Sequence, residues 1–525
     1  MSTLIDQVAE AVEHGGRNQV IQFLTAQRWF GAKGRRLTGL RLLDYAVLAD
    51  IPCPAVLAIV HVEFADGPGE RYFLPLIVRS DQELTACVEA KPVLTIEQAS
   101  QSTAAWELIT DASACFALLD GIRQGHQWQG RAGSFTCLRT PAIESLRSLP
   151  HINVKVIGAE QSNTSLVYDS RAILKLVRKL EAGVNPDGEI LEFLTTKTSY
   201  RHVPALLGHI RYDGGGRLLG EPAYSATVAM AQIFIPNEGD GWAMALRHLA
   251  DLLAASRTHP DSMTRPDRLA HVTTFSRDFL SRMRRLGEIT ADLHVALASD
   301  SYNPSFRPEP ATEPDISRWQ NAMRSEIRSV MAQLQTMPPR MLEPLSLNPE
   351  TMSQLEARCL DKTKDASLLV EQRVMKIRIH GDYHLGQVLS TSTDFVILDF
   401  EGEPARTLEE RRAKACPLKD VAGMLRSFNY ARHVARRQSS STSDADGMIL
   451  ETWEEETVKA FLAGYQAIAK PGEVVFLPNS LASVERLLTL FQVEKAIYEL
   501  RYEINNRPDW VEIPIQGLQK LLESR

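Results

Sequence analysis

Two aspartates and a glutamine have the spacing that phosphoryl transfer requires. Asp382 and Gln387 lie five positions apart in the segment HGDYHLGQ, and Asp399 ends the apolar segment FVILD, seventeen positions after Asp382. In transfer from ATP, one aspartate accepts the proton of the attacking hydroxyl, an amide holds a metal ion, and a second aspartate bridges that ion to the phosphates. We predict these roles for Asp382, Gln387 and Asp399 respectively.

The surrounding pattern predicts a short strand, a polar turn containing Asp382, and a second strand that ends in the Asp399 carboxylate. One hairpin would then bring both carboxylates to one cleft. Protein kinases place an asparagine at the spacing that Gln387 has here. The alternative is an acidic hairpin with a structural role. His380 and His384 do not predict zinc, because no third ligand of suitable type follows except acids already assigned.

A second β-rich segment precedes this motif and predicts a hairpin over phosphate groups. Strands are expected at 153–157, 166–168 and 172–177, with a turn rich in Ser, Asn and Thr between the first two. The turn lacks the glycine pattern of kinase loops, but hydroxyl and backbone N–H groups also bind phosphate. The predicted phosphate-covering residues are Ser162, Asn163, Thr164 and Ser165.

Lys175 stands alone among apolar residues, and a buried lysine needs a partner. A helix follows it, with Glu189 in its first turn, which is the kinase order of a strand lysine and a helix glutamate. We therefore predict Lys175 as the phosphate clamp and Glu189 as its partner, with Glu192 in reserve. Near Gln232 and Phe234 a strand runs into a Pro/Gly turn, where backbone groups could bind an adenine edge.

The rest of the chain predicts the elements that hold these residues. A helix is expected over 4–28, strands over 40–78, and renewed helical periodicity near 103–123. Trp29 and Phe30 are expected to anchor a turn on the core. Residues 301–370 mix Pro-rich loop and polar helix without evident chemistry.

Composition restricts the class of protein. The chain has 525 residues, which predicts two or three domains, with 44% hydrophobic and 23% charged residues. A net charge of −7 argues against nucleic acid or an anionic membrane as the main partner. Six scattered cysteines without a C-x-x-C pair, and an N-terminus without a signal-peptide pattern, predict reduced thiols and a cytoplasmic location.

The C-terminal segment 498–510 combines Tyr, Glu, Asn, Arg and Trp. Planar polar groups beside aromatic rings suit a hydroxyl-rich ligand such as a sugar. A packed C-terminal helix with a solvated charged face explains the same composition equally well.

Several stretches together resemble the maltokinase family, relatives of the aminoglycoside phosphotransferases. They are 27–33, 160–165, 185–189, 237–242, 380–387, 399–405 and 498–510, in the family's order. The resemblance implies an α+β, bilobal, protein-kinase-like fold with a β-rich N-lobe and a mostly helical C-lobe. It further implies a cap subdomain over 1–105, a nucleotide-binding subdomain over 106–235 and a helical lobe with the sugar site over 236–525.

The resemblance also implies an activity, the transfer of the ATP γ-phosphate, with Mg²⁺, to the anomeric hydroxyl of maltose. The product, maltose 1-phosphate, would supply α-glucan (glycogen) synthesis, in association with trehalose synthase. The alternatives are another acceptor, glucosamine or an aminoglycoside, and a non-catalytic glucan- or partner-binding module. The implied acceptor contacts are His380, Asp382, Glu401, Tyr498, Glu499, Tyr502 and Arg507.

Overall fold

The computed structural model describes residues 4–48, 54–80, 91–98, 101–146, 153–157, 163–216, 221–257, 263–439 and 443–523. The chain divides into two compact units. The first unit comprises Met1–Lys197 and Pro204–Pro236, and the second comprises Thr198–Val203 and Asn237–Arg525. The three-domain division predicted from the sequence stays a prediction.

The first unit begins with two helices against an antiparallel sheet. The predicted single helix over 4–28 is wrong in its continuity, because α1 ends before the Gly15–Gly16 pair and α2 starts after it. The elements are α1 (Leu4–Glu13), α2 (Arg17–Ala26), β1 (Leu37–Val47), β2 (Ala55–Phe64), β3 (Glu70–Ser80), β4 (Leu94–Gln98) and β5 (Gln101–Glu107). The strand order is β1-β2-β3-β5-β4.

Aromatic packing closes the core of this sheet. Trp29 and Phe30 are buried, and their ring centroids lie 6.0 and 5.0 Å from that of Tyr72. Offset aromatic pairs at these separations add to the energy of burial. The two aromatic residues therefore anchor the turn on the core, as the sequence predicts.

The first unit continues with a second antiparallel sheet. Its elements are α3 (Ala112–Gln124), β6 (Gln127–Gln129), β7 (Ser134–Arg139), β8 (Val154–Ile157), β9 (Asn163–Tyr168), β10 (Ala172–Val177), β11 (Lys179–Leu180), α4 (Pro186–Lys197), β12 (Leu206–Gly216) and β13 (Glu221–Ile233). The strand order is β6-β7-β12-β13-β10-β9-β8, while β11 pairs with β3. Helix α3 starts later than predicted, because Asp111 caps it by accepting from the Ala114 N–H.

Buried polar contacts join the two sheets of this unit. Arg178 follows β10, is fully buried, and forms an ion pair of 2.8 Å with Glu107 at the end of β5. Asp44 on β1 accepts a 2.9 Å hydrogen bond from the Tyr212 hydroxyl on β12. Groups buried at such positions are costly to leave unpaired, so these contacts specify how the sheets pack.

The second unit is largely helical. Before the segment that carries Asp382 it contains α5 (Gly241–Ser256), α6 (Arg265–Phe275), α7 (Arg277–Leu297), β14 (Glu309–Pro310), α8 (Glu313–Gln335), α9 (Pro339–Leu342), α10 (Pro349–Lys362), α11 (Leu368–Glu371) and β15 (Met375–Lys376). It continues with β16 (Val388–Ser390), β17 (Phe395–Ile397), α12 (Leu408–Arg412), α13 (Leu418–Gln438), α14 (Asp444–Ile468), α15 (Leu481–Asn506) and α16 (Glu512–Glu523). None of the helices that the described residues form is long and apolar enough to cross a membrane.

Glycine allows two close approaches in the second unit. A Cβ on Gly464 of α14 would lie 1.8 Å from the Arg284 carbonyl oxygen on α7, so these helices pack backbone to backbone. A Cβ on Gly423 of α13 would lie 2.6 Å from the Tyr383 carbonyl oxygen. The absent side chain therefore lets the segment around Asp382 rest directly on α13.

Candidate active site

The segment that carries Asp382 is anchored by a buried carboxylate. Asp420, on the first turn of α13, is 2% exposed and accepts hydrogen bonds from the His380 N–H (2.8 Å) and the Gly381 N–H (2.9 Å). Its Oδ2 also lies 3.2 Å from His294 Nε2. Burial raises the pKa of Asp420, but hydrogen bonds and nearby histidines lower it more, so the net pKa is below its ordinary value.

We expect Asp420→Ala to destabilise the second unit by about 1–3 kcal/mol, because it leaves buried N–H donors without an acceptor. Urea unfolding measures this free energy. Asp444→Ala is the matched control, since Asp444 is an exposed first-turn aspartate on α14. A loss no larger than that of the control would show that Asp420 does not anchor the segment.

His380 orients the backbone beside Asp382. Its ring is buried, with Nδ1 accepting from the Asp382 N–H at 3.3 Å and Nε2 2.8 Å from the Leu398 carbonyl oxygen. The pair of contacts fits the tautomer protonated on Nε2. His380 thus links the Asp382 segment to the end of β17, and its predicted contact with substrate stays a prediction.

The Asp382 carboxylate is paired with a lysine that the sequence did not indicate. Lys495 Nζ lies 2.9 Å from Asp382 Oδ1 and 2.9 Å from Glu403 Oε1. Burial raises the pKa of Asp382, but the Lys495 ammonium and the His384 ring lower it more. Asp382 therefore stays ionised, as a proton acceptor must be.

Gln387 and Asp399 meet beside the hairpin formed by β16 and β17. Gln387 Nε2 donates to Asp399 Oδ2 at 3.2 Å, which leaves the Gln387 amide oxygen for another ligand. A hairpin is present, but it is not the predicted one. Pairing runs from Val388 with Ile397 to Ser390 with Phe395, so the turn lies at 391–394 and Asp382 lies ahead of the hairpin. Asp399 has a φ of +64°, a conformation that non-glycine residues rarely adopt outside turns and functional sites.

His384 lies close to Asp382. Its Nε2 is 4.0 Å from Asp382 Oδ2. Burial lowers the pKa of His384, and the charges of Asp382 and Asp399 oppose that change. The common cleft for the two aspartates stays a prediction.

The donor set suits a magnesium ion that is shared with a phosphate ligand. Mg²⁺ is usually held by one or two carboxylates together with waters and substrate phosphates rather than by an all-protein cage. Asp399 and Gln387 provide such a partial set. The described part of the chain contains no group of three His, Cys, Asp or Glu side chains that could hold a metal ion.

Helix α15 presents a polar and aromatic face that starts at Lys495. The Lys495 Nζ lies 4.6 Å from the centre of the Tyr498 ring, and Tyr502 is 47% exposed one turn further along. Lys495, Tyr498 and Tyr502 are spaced i, i+3 and i+7, so they share one side of the helix.

Two other predicted acceptor contacts are engaged in ion pairs. Glu499 accepts from Arg426 Nη2 at 2.7 Å and from its Nε at 2.9 Å. Arg507 pairs with Glu503 at 2.6 Å, and its guanidinium lies 4.6 Å from the Trp510 ring centre. The main-chain oxygen of Glu401, a further predicted contact, accepts from Arg411. Direct sugar contacts by these residues stay predictions.

In the first unit, Lys175 on β10 lies 3.7 Å from Asp187 Oδ2 on the first turn of α4. The sequence favoured Glu189, two positions later in the same turn and partly exposed. The expected order of a strand lysine followed by a helix acid is therefore present, with Asp187 as the recorded ion-pair partner. The role of Glu189 stays a prediction.

The predicted phosphate-covering residues are placed mostly in a strand. Ser162 lies outside the described residues, whereas Asn163, Thr164 and Ser165 begin β9 rather than forming a turn. The Thr164 hydroxyl accepts from Arg178 Nε at 2.9 Å, and Ser165 pairs with Lys175 across the strands.

The predicted adenine contacts lie at the end of β13. Gln232 is buried and pairs with Ile173, and the Phe234 N–H donates to the Arg171 carbonyl oxygen at 3.0 Å. The binding of nucleotide by these residues stays a prediction.

Comparison with known proteins identifies related domains. Residues 23–114 match the maltokinase N-terminal cap domain. A glucosamine kinase of Streptacidiphilus jiangxiensis is 24% identical over 70% of this chain and 73% of its own length. A glucosamine kinase of Mycolicibacterium smegmatis is 24% identical over 78% of this chain and 87% of its own length.

A solved structure supports the fold over nearly the full length. A glucosamine kinase in complex with glucosamine, ADP and inorganic phosphate superposes with a TM-score of 0.65 and 19% identity, covering 98% of each chain. The predicted α+β, protein-kinase-like fold class with an N-terminal cap is confirmed. The resemblance noted from the sequence is confirmed for the cap domain and the fold.

Proposed function

We propose that this maltokinase-like chain is an ATP- and Mg²⁺-dependent sugar kinase that phosphorylates the anomeric hydroxyl of maltose. The observation that carries the proposal is the joint placement of Asp382 and the face of α15. An ionised aspartate, oriented by His380 and Asp420, contacts Lys495, where the exposed aromatic face begins. A proton acceptor thus lies at one end of a surface that suits sugar rings.

Each residue of the site has one role in the proposed reaction. Asp382 accepts the proton of the acceptor hydroxyl, and the Lys495 ammonium keeps this carboxylate ionised until then. Asp399 and Gln387 would hold Mg²⁺, which supplies charge neutralisation at the phosphates when it is bound. Lys175, oriented by Asp187, would contact the phosphates. Positioning and electrostatic stabilisation account for most catalysis of phosphoryl transfer.

Two features of the site favour a neutral disaccharide. The α-carbons of Lys495 and Tyr502 lie about 10 Å apart along the helix, a length that suits more than one sugar ring. Asp382 and Glu403 are balanced by Lys495 and by Arg406, whose Nε lies 3.1 Å from Glu403. The charges of these two carboxylates and two cations sum to zero, so the binding of an uncharged acceptor does not change the net charge of this group.

Glucosamine is the second candidate acceptor, because both relatives named above and the superposed structure carry the name glucosamine kinase. Its ammonium group would need a carboxylate that Lys495 and Arg406 already neutralise. Association with trehalose synthase and a role in glycogen synthesis stay predictions.

The test is to incubate the protein with ATP, Mg²⁺ and maltose while following ADP and reducing ends together. We expect one reducing end to be lost for each ADP released, because phosphorylation at O1 blocks the anomeric carbon. Methyl maltoside is the matched control, since it keeps both rings but lacks a free O1, and we expect it not to react.

Three outcomes would contradict the proposal in different ways. ADP release from maltose without loss of reducing ends would place the phosphate on another hydroxyl. Turnover of glucosamine but not maltose would make the amino sugar the acceptor. Absence of ADP release with any sugar, while sugar still binds, would favour the non-catalytic binding module.

A further inference from the structure

The segment 301–370, which carries no recognisable chemistry in the sequence, folds mainly into helices that include α8 and α10. Helix α8 runs beside α15 and makes polar contacts with it through residues spaced seven apart on α8. Trp319 Nε1 donates to Glu494 Oε1 at 2.7 Å, and Arg501 Nη1 lies 2.8 Å from Glu326 Oε1. Asn505 reaches Gln333 at 3.5 Å. The numbers of the contacting residues increase in the same direction along α8 and α15, so the two helices are parallel.

These contacts lie next to the aromatic face of α15. At 3.6 residues per turn, successive residues rotate by about 100°. On that rotation Glu494, Arg501 and Asn505 group together, roughly 90° around the helix from the direction of Lys495 and Tyr502. Tyr498 projects between the two groups. Helix α8 therefore flanks the face that begins at Lys495.

Arg501 connects α8 to this face. Its guanidinium carbon lies 5.6 Å from the Tyr498 ring centre, while Lys495 Nζ lies 4.6 Å from the same ring. Cations near an aromatic face are attracted to the ring and restrict its motion. Arg501 and Glu326 are 38% and 31% exposed, so the pair is reachable from solvent but held in one geometry.

We propose that α8 is a side wall of the acceptor site and that Glu326 is a positioning residue for acceptor binding. Glu326 acts through Arg501, which it holds against the Tyr498 ring. The identity of the acceptor rests on the proposed function, but the wall is defined by contacts within the second unit. The acceptor site then includes a helix from the segment 301–370, in which the sequence shows no evident chemistry.

The test compares Glu326→Gln with Glu313→Gln, the same substitution at an exposed position of α8. We expect Glu326→Gln to raise the KM and the Kd for maltose about twofold to fivefold, in the range of a partly exposed ion pair. The kcat and the KM for ATP should stay unchanged, because the lost contact weakens acceptor binding equally in the ground state and the transition state. Glu326→Asp, which keeps the charge, should recover part of the affinity, and Glu313→Gln should match wild type.

A double-mutant cycle tests the route through Arg501. If Glu326 acts only by holding Arg501, then Glu326→Gln should add nothing to the loss caused by Arg501→Gln. Equal maltose affinity in wild type and Glu326→Gln, or additive losses in the cycle, would overturn the inference alone. If wild type binds glucosamine but not maltose, the same variants are measured with glucosamine. If wild type binds neither sugar by calorimetry, both the proposed function and this inference fail.

Discussion

Asp382→Asn is expected to lower kcat by about 10²–10⁴-fold, because the amide keeps the shape of the carboxylate but cannot accept the proton. Nucleotide affinity should be nearly unchanged, since Asp399 and Gln387 provide the proposed metal ligands. Steady-state kinetics with saturating maltose measure the first effect, and equilibrium nucleotide binding measures the second.

The matched control is Asp394→Asn on the β16–β17 turn. Asp394 pairs with Arg285 at 3.1 Å. Its substitution removes one charge from the hairpin that follows Asp382 and should leave kcat within about threefold of wild type. If Asp382→Asn kept more than about a tenth of the wild-type rate, Asp382 would not be the proton acceptor.

Sequence spacing anticipated the parts of this site that depend on short-range geometry. Gln387 and Asp399 flank one small hairpin, so a twelve-residue separation, counted along the chain, sufficed to predict their proximity. The signal that forms this structure is therefore local.

The sequence could not indicate contacts made across long stretches of chain. Lys495 lies 113 positions from Asp382 and is surrounded by an ordinary helical pattern, so nothing in its neighbours marks it as a site residue. The sequence predicts Glu189 as the partner of Lys175, with Glu192 in reserve, whereas Asp187 forms an ion pair with Lys175. Asp187 and Glu189 both occupy the first turn of α4, so the order of residue types along the chain does not distinguish them.

The role of 301–370 was hidden for the same reason. Its helix α8 shows a capping box at Thr312 and Asp315 and a buried apolar stripe, which together explain folding but not purpose. Its partners Glu494 and Arg501 belong to a helix about 170 residues later. The sequence pattern of a segment therefore predicts whether it forms a helix or a strand. Its function depends on which other elements it packs against.

Lys495→Met is expected to destabilise the protein and to shift the pH dependence of its activity. Lys495 is 18% exposed and Asp382 is 22% exposed. Removing one partner of a buried ion pair costs about 3–5 kcal/mol, and this partial exposure favours the lower end of that range. Glu403 keeps its contact with Arg406, so most of the loss should come from Asp382. Urea unfolding at neutral pH measures it, with the exposed Lys459→Met as matched control.

The direction of the pH effect follows from the two influences on Asp382. In wild type the net pKa of Asp382 is lowered, so its contribution to stability is present above the ordinary pKa of 3.8 and is lost as pH falls through the folded value. Without Lys495, the effect of burial is the larger one and the pKa of Asp382 rises. The acid limb of kcat against pH should therefore move to higher pH, and the stability loss should shrink as the medium becomes acidic.

A second substitution separates this charge effect from lost packing. Asp382→Asn in the Lys495→Met background removes the uncompensated carboxylate, so we expect the double variant to recover a large part of the free energy of unfolding at neutral pH. An additive loss in the double variant would show that Lys495 stabilises the helix by packing alone. An acid limb that does not move in Lys495→Met would likewise show that the ammonium does not control the ionisation of Asp382.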